Sequence, residues 1–199
     1  MTKINGKLDL LDEDSALEAI ETVGKLAQLN KIDWAIVGGI AMAFYGSPRL
    51  TKDVDIIATK LLPAASAEIV GQLQQGGECY KIQTNKKAVN VDWILRRDEA
   101  KHFFQAALKD AVLIGENNIP IITPEWLVIL KYIANRFKDQ EDAIYLLSEK
   151  DLVNRHKIKE LVIKVAGKIA WVGFKAGLQR WYDLADGRIF AEKDGYIDS

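Results

Sequence analysis

The run Val37–Ile57, VGGIAMAFYGSPRLTKDVDII, constrains the chain more than any other stretch. Its last part, Asp53-Val54-Asp55-Ile56-Ile57, alternates acidic and aliphatic residues before a second aliphatic residue closes it. Residues i and i+2 of a strand point to the same face, so Asp53 and Asp55 project together while Val54 and Ile56 turn to a core. Its first part sets two adjacent glycines, Gly38 and Gly39, between a short apolar strand, Trp34–Val37, and a short helical stretch, Ile40–Phe44. That stretch stops near Gly46 and Pro48.

Two carboxylates this close on one face repel each other unless a positive charge sits between them. A divalent cation meets that need, and oxygen-only ligands favour magnesium over zinc. A third acid, Asp92, stands in a second apolar run, Val89-Asn90-Val91-Asp92-Trp93-Ile94-Leu95. If that run pairs beside the first acidic strand, Asp92 completes the site. Two ions about 4 Å apart can clamp the attacking and leaving oxygens of a phosphoryl displacement. Gly38 and Gly39 fit the same chemistry, because bare backbone lets phosphate approach and a helix start offers free N–H groups. Arg49 and Lys52, just before the acids, are within reach of phosphate oxygens. The combined expectation is a magnesium site that handles a nucleoside triphosphate.

Composition bounds the alternatives. An apolar fraction of 49% and a charged fraction of 28% are those of an ordinary globular protein. The net charge of −1 gives no global basic field to draw in nucleic acid, although local patches exist. The single cysteine, Cys79, excludes an intrachain disulfide and a cysteine metal cluster, and next to Tyr80 it reads as a buried strand residue. The N-terminal MTKINGKLDLLDEDS has no apolar signal core, and no apolar run is long enough to span a membrane. The expectation is a cytoplasmic protein without membrane association.

Along the chain, a first helix is expected over Ser15–Leu29, capped by Asp14 or Ser15, with Leu17, Ile20, Val23, Leu26 and Leu29 inward. After the Asp53–Ala58 strand, Pro63 and Ser66 open a surface helix that ends at Gly76–Gly77. Cys79–Gln83 and Ala88–Leu95 form a hairpin across Thr84–Lys87. A helix over Glu99–Leu108 and short strands at Val112–Ile114 and Pro120–Ile122 follow. The character changes at Thr123-Pro124-Glu125, a capped helix start. One long helix is expected from there to Ser148, with Leu127, Leu130, Ala134, Phe137 and Ile144 inward, then helices over Ile158–Val172 and Leu178–Leu184. The tail from Asp186 is polar enough to fray. The division is an N-terminal α+β domain, 1–122, built on a small mixed sheet with flanking helices, and a helical C-terminal domain, 123–199.

These residues resemble the nucleotidyltransferase superfamily, with its polymerase-beta-like fold. Its signature is an apolar residue, Gly-Gly or Gly-Ser, a gap, and Asp-x-Asp between apolar residues. Val37-Gly38-Gly39 and Asp53-Val54-Asp55 carry it here, and Asp92 best matches the third acid. The resemblance implies that Gly38 and Gly39 hold triphosphate and that Asp53 and Asp55 bind metal. It makes Asp92 a metal ligand or the base that activates an acceptor hydroxyl. In the C-terminal half, Pro124-Glu125, Leu130-Lys131, Arg136-Phe137-Lys138-Asp139 and Asp142-Ala143-Ile144 resemble the helical region of the AbiEii-type toxin branch. That resemblance implies triphosphate contacts from Lys131 or Lys138, oriented by Asp139 or Asp142. Lys131 and Lys138, seven residues apart, would share one face of the long helix.

The implied activity is transfer of a nucleotidyl group from an NTP to an acceptor hydroxyl, with release of pyrophosphate. The acceptor is RNA, as for a toxin with a possible antitoxin partner, or a small hydroxylated molecule, as for an aminoglycoside-type resistance enzyme. A non-catalytic module that binds nucleotide or a protein partner is the alternative of a different class. Two basic groups, Lys81, Lys86, Lys87, Arg96, Arg97 and Lys101, then Arg155, His156, Lys157, Lys159, Lys164 and Lys168, read as solvated faces before an RNA surface. Trp171, Phe174, Trp181 and Tyr182 read as core or subunit contact before base-stacking platforms.

Overall fold

The structure is a computed structural model that describes residues 10–63 and 66–189. The chain divides into two compact units, Met1–Thr123 and Pro124–Ser199.

The first unit opens with α1, Glu13–Leu29. Asp12 caps it, accepting from the Ser15 N–H at 3.1 Å and from the Ser15 hydroxyl at 2.8 Å. These bonds, led by the backbone one, hold the Asp12 carboxyl down at about 2. The buried face is Ala16, Ala19, Ile20, Val23 and Ala27, whereas Leu17 and Leu29 are exposed. The expected stripe holds at Ile20 and Val23 and fails at its two ends, because strict spacing of three drifts about 60° round the helix at every step. The true face mixes spacings of three and four and uses alanines.

The strands follow as β1, Trp34–Val37; β2, Asp53–Ala58; β3, Glu68–Gln72; β4, Gly77–Gln83; β5, Ala88–Ile94; β6, Val112–Ile114; and β7, Ile119–Ile121. Helix α2, Gly38–Phe44, joins β1 to the β2 approach, and α3, Lys101–Lys109, lies between β5 and β6. The seven strands form one sheet in the order β3-β4-β5-β2-β1-β7-β6. It is mixed: β2 with β5 and β1 with β7 are parallel, and the other neighbours are antiparallel. The fold is therefore the α+β class expected, a mixed sheet with flanking helices and a helical C-terminal region. Alternation along the central strands sorts their faces. Val54, Ile56, Tyr80, Val91 and Trp93 are fully buried on one side. The alternate residues carry the polar groups of the other side.

The surface helix expected after Pro63 is instead the strand β3, which pairs antiparallel with β4 across an irregularity between Ile69 and Gly71. Residues 64–65, within the expected helix, lie outside the described residues. Pairing with β4 decides the state of this segment, and tertiary pairing overrides local propensity at a sheet edge.

The second unit comprises α4, Pro124–Ala134, α5, Phe137–Ser148, and α6, Arg155–Ala185. The single long helix expected over 124–148 is broken. Asn135 takes a left-handed conformation, φ 50°, and Arg136 is extended. Asn is among the few residues that adopt this conformation at low cost, so the break needs neither Gly nor Pro. Phe137, expected inward, is 79% exposed beside that break, and Ile144 is only half-buried, while Asp139, Asp142, Ala143, Leu146 and Leu147 form the buried face of α5. In α6 the interruption falls at Gly167, φ 83°, rather than between Val172 and Leu178. Asp186, where the tail was expected to fray, is tied to Arg155 at 2.6 Å. Residues 1–9 and 190–199, which hold the rest of that tail and the N-terminal segment, lie outside the described residues. Among the described residues no helix is long and apolar enough to cross a membrane.

Candidate active site

The acids meet through strand register. In the parallel pair β2–β5, Asp55 stands directly opposite Asp92, and Asp53 opposite Asn90. Directly paired residues share a face, with backbones about 4.8 Å apart. The row continues in both directions: Val37 opposes Asp55 on one side, and Cys79 then Gly71 extend it beyond Asp92. One step along, Asp53, Asn90, Lys81 and Glu68 form a second polar row on the same face. The side chains of Asp53, Asp55 and Asp92 are all partly exposed, in contrast to Val54, Val91 and Trp93 beside them.

The glycine pair belongs to the same place for a reason sharper than phosphate access. Gly38 has φ +64°, and a Cβ there would lie 1.9 Å from Asp55 Oδ2. A Cβ on Gly39 would lie 2.6 Å from Thr51 Oγ1. The Gly39 N–H donates to Asp55 Oδ2 at 3.3 Å. The Thr51 hydroxyl donates to Asp53 Oδ1 at 3.2 Å and lies 3.1 Å from the Asp53 carbonyl oxygen. Each acid is thus held by a neighbour that the glycines admit. Sequence reasoning missed Thr51, although its place two residues before Asp53 was a usable signal. Arg49 is partly exposed and Lys52 exposed on the segment leading to Asp53.

The donor set suits a hard divalent cation, since it consists of carboxylate oxygens only. Among the described residues no group of three or more His, Cys, Asp or Glu side chains is gathered to hold a metal ion. A cation of the magnesium type does not require one. It binds through one or two carboxylates and fills its remaining positions with water and substrate phosphate oxygens. Asp53 and Asp55, side by side on one face, meet that smaller demand.

Cys79 is the second group that sequence reasoning missed, read there as a plain strand residue. Burial, a hydrogen bond to Asp92 and the charges of Asp92 and Asp53 push its thiol up to about 12. Nothing in the spacing of residues could show this, because the contact depends on how β4 registers with β5.

The other candidates sit in the second unit. Lys131, on α4, is buried and bonds Asp139 Oδ1 at 3.0 Å and, more closely, Asp142 Oδ2. Arg136 adds a bond to Asp139 Oδ2 at 2.6 Å. Burial drives the Asp139 carboxyl up, but Arg136 and Lys131 outweigh it and hold it below the usual range. Lys131, Asp139 and Asp142 therefore form one charge-paired cluster. Lys138 is not part of it: the break at Asn135 removes it from the face of Lys131, and its side chain is exposed.

Several members of the basic groups are ion-paired. Lys86 meets Asp12 and Asp14, Arg96 meets Asp98, Arg155 meets Asp186, and Lys157 meets Glu125. The C-terminal aromatics pack in their own unit: Phe174 and Trp181 lie 4.8 and 5.3 Å from the Tyr132 ring, and Arg155 lies over Tyr182.

No protein-family model matches the chain, and no curated protein matches it. Solved structures resemble it at low identity. An antigenic nucleotidyltransferase-like protein from Paracoccidioides brasiliensis is 20% identical, over 92% of this chain and 97% of its own, with a TM-score of 0.47. The antibiotic-resistance factor ANT(2'')-Ia in solution is 11% identical, over 89% and 98%, at a TM-score of 0.40. Its crystal structure in complex with adenylyl-2''-tobramycin is 15% identical, over 82% and 96%, also at 0.40.

Proposed function

We propose that the chain is a magnesium-dependent nucleotidyltransferase acting at the polar face of β2 and β5. The observation that carries the proposal is the direct register of Asp55 with Asp92, with Asp53 on the same face and Gly38–Gly39 against Asp55. Carboxylates gathered on one face of a sheet have little use in a plain core, where burying charge is costly.

Asp53 and Asp55 hold the cation, kept in place by Thr51 and by the Gly39 N–H. When bound, the cation neutralises triphosphate charge and polarises the α-phosphate. Gly38 and Gly39 keep side chains out of the path of the phosphates. Arg49 and Lys52 supply positive charge on the approach to Asp53. Asp92 accepts the proton of the acceptor hydroxyl as its oxygen attacks the α-phosphorus. The new bond is acceptor oxygen to α-phosphorus, the bond to the bridging oxygen of the β-phosphate breaks, and pyrophosphate leaves. The acceptor, RNA or a small polyhydroxylated molecule, is left to experiment.

The test is incubation with each α-labelled NTP and magnesium, with total RNA in one arm and an aminoglycoside in the other. Labelled acceptor and released pyrophosphate are expected in one arm, and both are lost in Asp53→Asn with the fold retained. Nucleotide binding without pyrophosphate release in either arm would instead identify a binding module. Full activity of Asp53→Asn would remove that residue from the metal site.

A further inference from the structure

In strand β4, Tyr80 and Ile82 are buried on the apolar side, while Gly77, also buried, lies on the face of Cys79 and Lys81. Cys79 is not on the side of Tyr80 and Ile82. It is half-buried and shares its face with Lys81, next in register to Asp92 and beyond it Asp55. A small sulfur side chain used only for packing belongs on the apolar side, where Val91 and Trp93 are fully buried. On its outer flank the register partner is Gly71, which has no side chain; a Cβ built there would meet only the Cys79 Cβ, at 3.8 Å. The thiol is therefore not walled in by β3, and its hydrogen-bond partner is the Asp92 carboxylate.

We infer that Cys79 is a positioning residue: its S–H donates to the Asp92 carboxylate from the neighbouring strand and fixes the orientation in which Asp92 meets the acceptor hydroxyl. The inference rests on the reading of Asp92 as the group that takes the acceptor proton. A carboxylate with no fixed donor turns about its terminal torsion, which is broad.

Two measurements test this, one of them independent of turnover. The chain has a single cysteine, so its S–H stretching band in the infrared has one origin. The band is expected at lower frequency in the wild type than in Asp92→Ala, and likewise lower than in Asp92→Asn, where a neutral amide replaces the charged acceptor. A band at one frequency in all three overturns the inference. In the transfer assay, Cys79→Ala is expected to lose roughly 10–100-fold in kcat, the usual cost of removing a group that orients a site residue. KM for the nucleotide stays unchanged, and Cys79→Ser, which keeps a donor, recovers most of the rate. Wild-type kcat in Cys79→Ala, or a Ser variant as slow as Ala, overturns it. A shifted band in a protein that transfers nothing to either acceptor removes the role of Asp92 and the positioning role with it.

Discussion

Gly38 shows how one residue ties backbone conformation to the candidate chemistry. Its φ of +64° is a left-handed conformation, which costs an alanine about 1–2 kcal/mol. Its absent Cβ is also the space that Asp55 Oδ2 fills. Gly38→Ala is therefore expected to destabilise the first unit by at least that strain and to displace the Asp55 carboxylate. A displacement of about 1 Å at a reacting centre costs about 100-fold in rate, so transfer should fall by that factor or more. The clash and the strain separate in a double-mutant cycle. With Asp55→Gly already in place, which also removes the Cβ that a Gly38 Cβ would meet at 2.7 Å, Gly38→Ala should cost only the conformational part, and urea unfolding of the four proteins gives the coupling. Additive effects would mean that Asp55 does not fill the Gly38 slot. The sequence made the glycines and the acids legible separately, as neighbours of one phosphate. That Gly38 serves Asp55 directly was not legible, because it depends on a side-chain contact between separate stretches of chain.

At the scale of elements, what the sequence disclosed depended on whether the deciding contacts were local. The strands Trp34–Val37 and Asp53–Ala58 and the hairpin of β4 and β5 were readable from alternation and turn chemistry. The edge strand β3 was not, since only its partner β4 makes it a strand. The α4–α5 break carried one local signal, Asn135, a residue that ends helices in the left-handed conformation, but no Gly or Pro accompanies it. Its consequence is the ion cluster: the turn brings Asp139 and Asp142 back onto Lys131. Lys131→Met would leave two buried carboxylates without their shared cation, at a cost of about 3–5 kcal/mol. The pH dependence carries a sign. In the wild type, Asp139 titrates below its unfolded value, so its contribution is present above about pH 4 and fades as acid protonates it. In the variant Asp139 loses the Lys131 charge and keeps only that of Arg136, so its folded-state value rises relative to the wild type and its ionisation supports folding less as pH rises. The stability gap should be widest near pH 7 and narrow toward pH 4, read by urea unfolding and by hydrogen exchange of residues 124–148. A gap that is constant with pH would show that Lys131 contributes packing rather than charge.

For the whole molecule, the proposed function has a consequence that needs no acceptor. A ligand that binds only the folded chain stabilises it by mass action, about 2.7 kcal/mol at a hundredfold excess over Kd. For a chain of this length, each kcal/mol moves the melting temperature by roughly 2–4 °C. Magnesium with a non-hydrolysable NTP should therefore raise the melting temperature by about 5–10 °C. Magnesium alone should do little, because Asp53 and Asp55 offer two carboxylates and the remaining coordination positions must come from phosphate and water. The order of dependence is diagnostic: the metal effect requires nucleotide, and the full nucleotide effect requires metal. Asp53→Asn and Asp55→Asn should each remove most of the shift while leaving the unliganded melting temperature near its own baseline. If the shift survives in both variants, the nucleotide is held elsewhere on the molecule and the polar face of β2 and β5 is not its site. If magnesium alone produces the full shift, the acids form a complete metal cage, and a structural ion becomes a better account of them than a reaction.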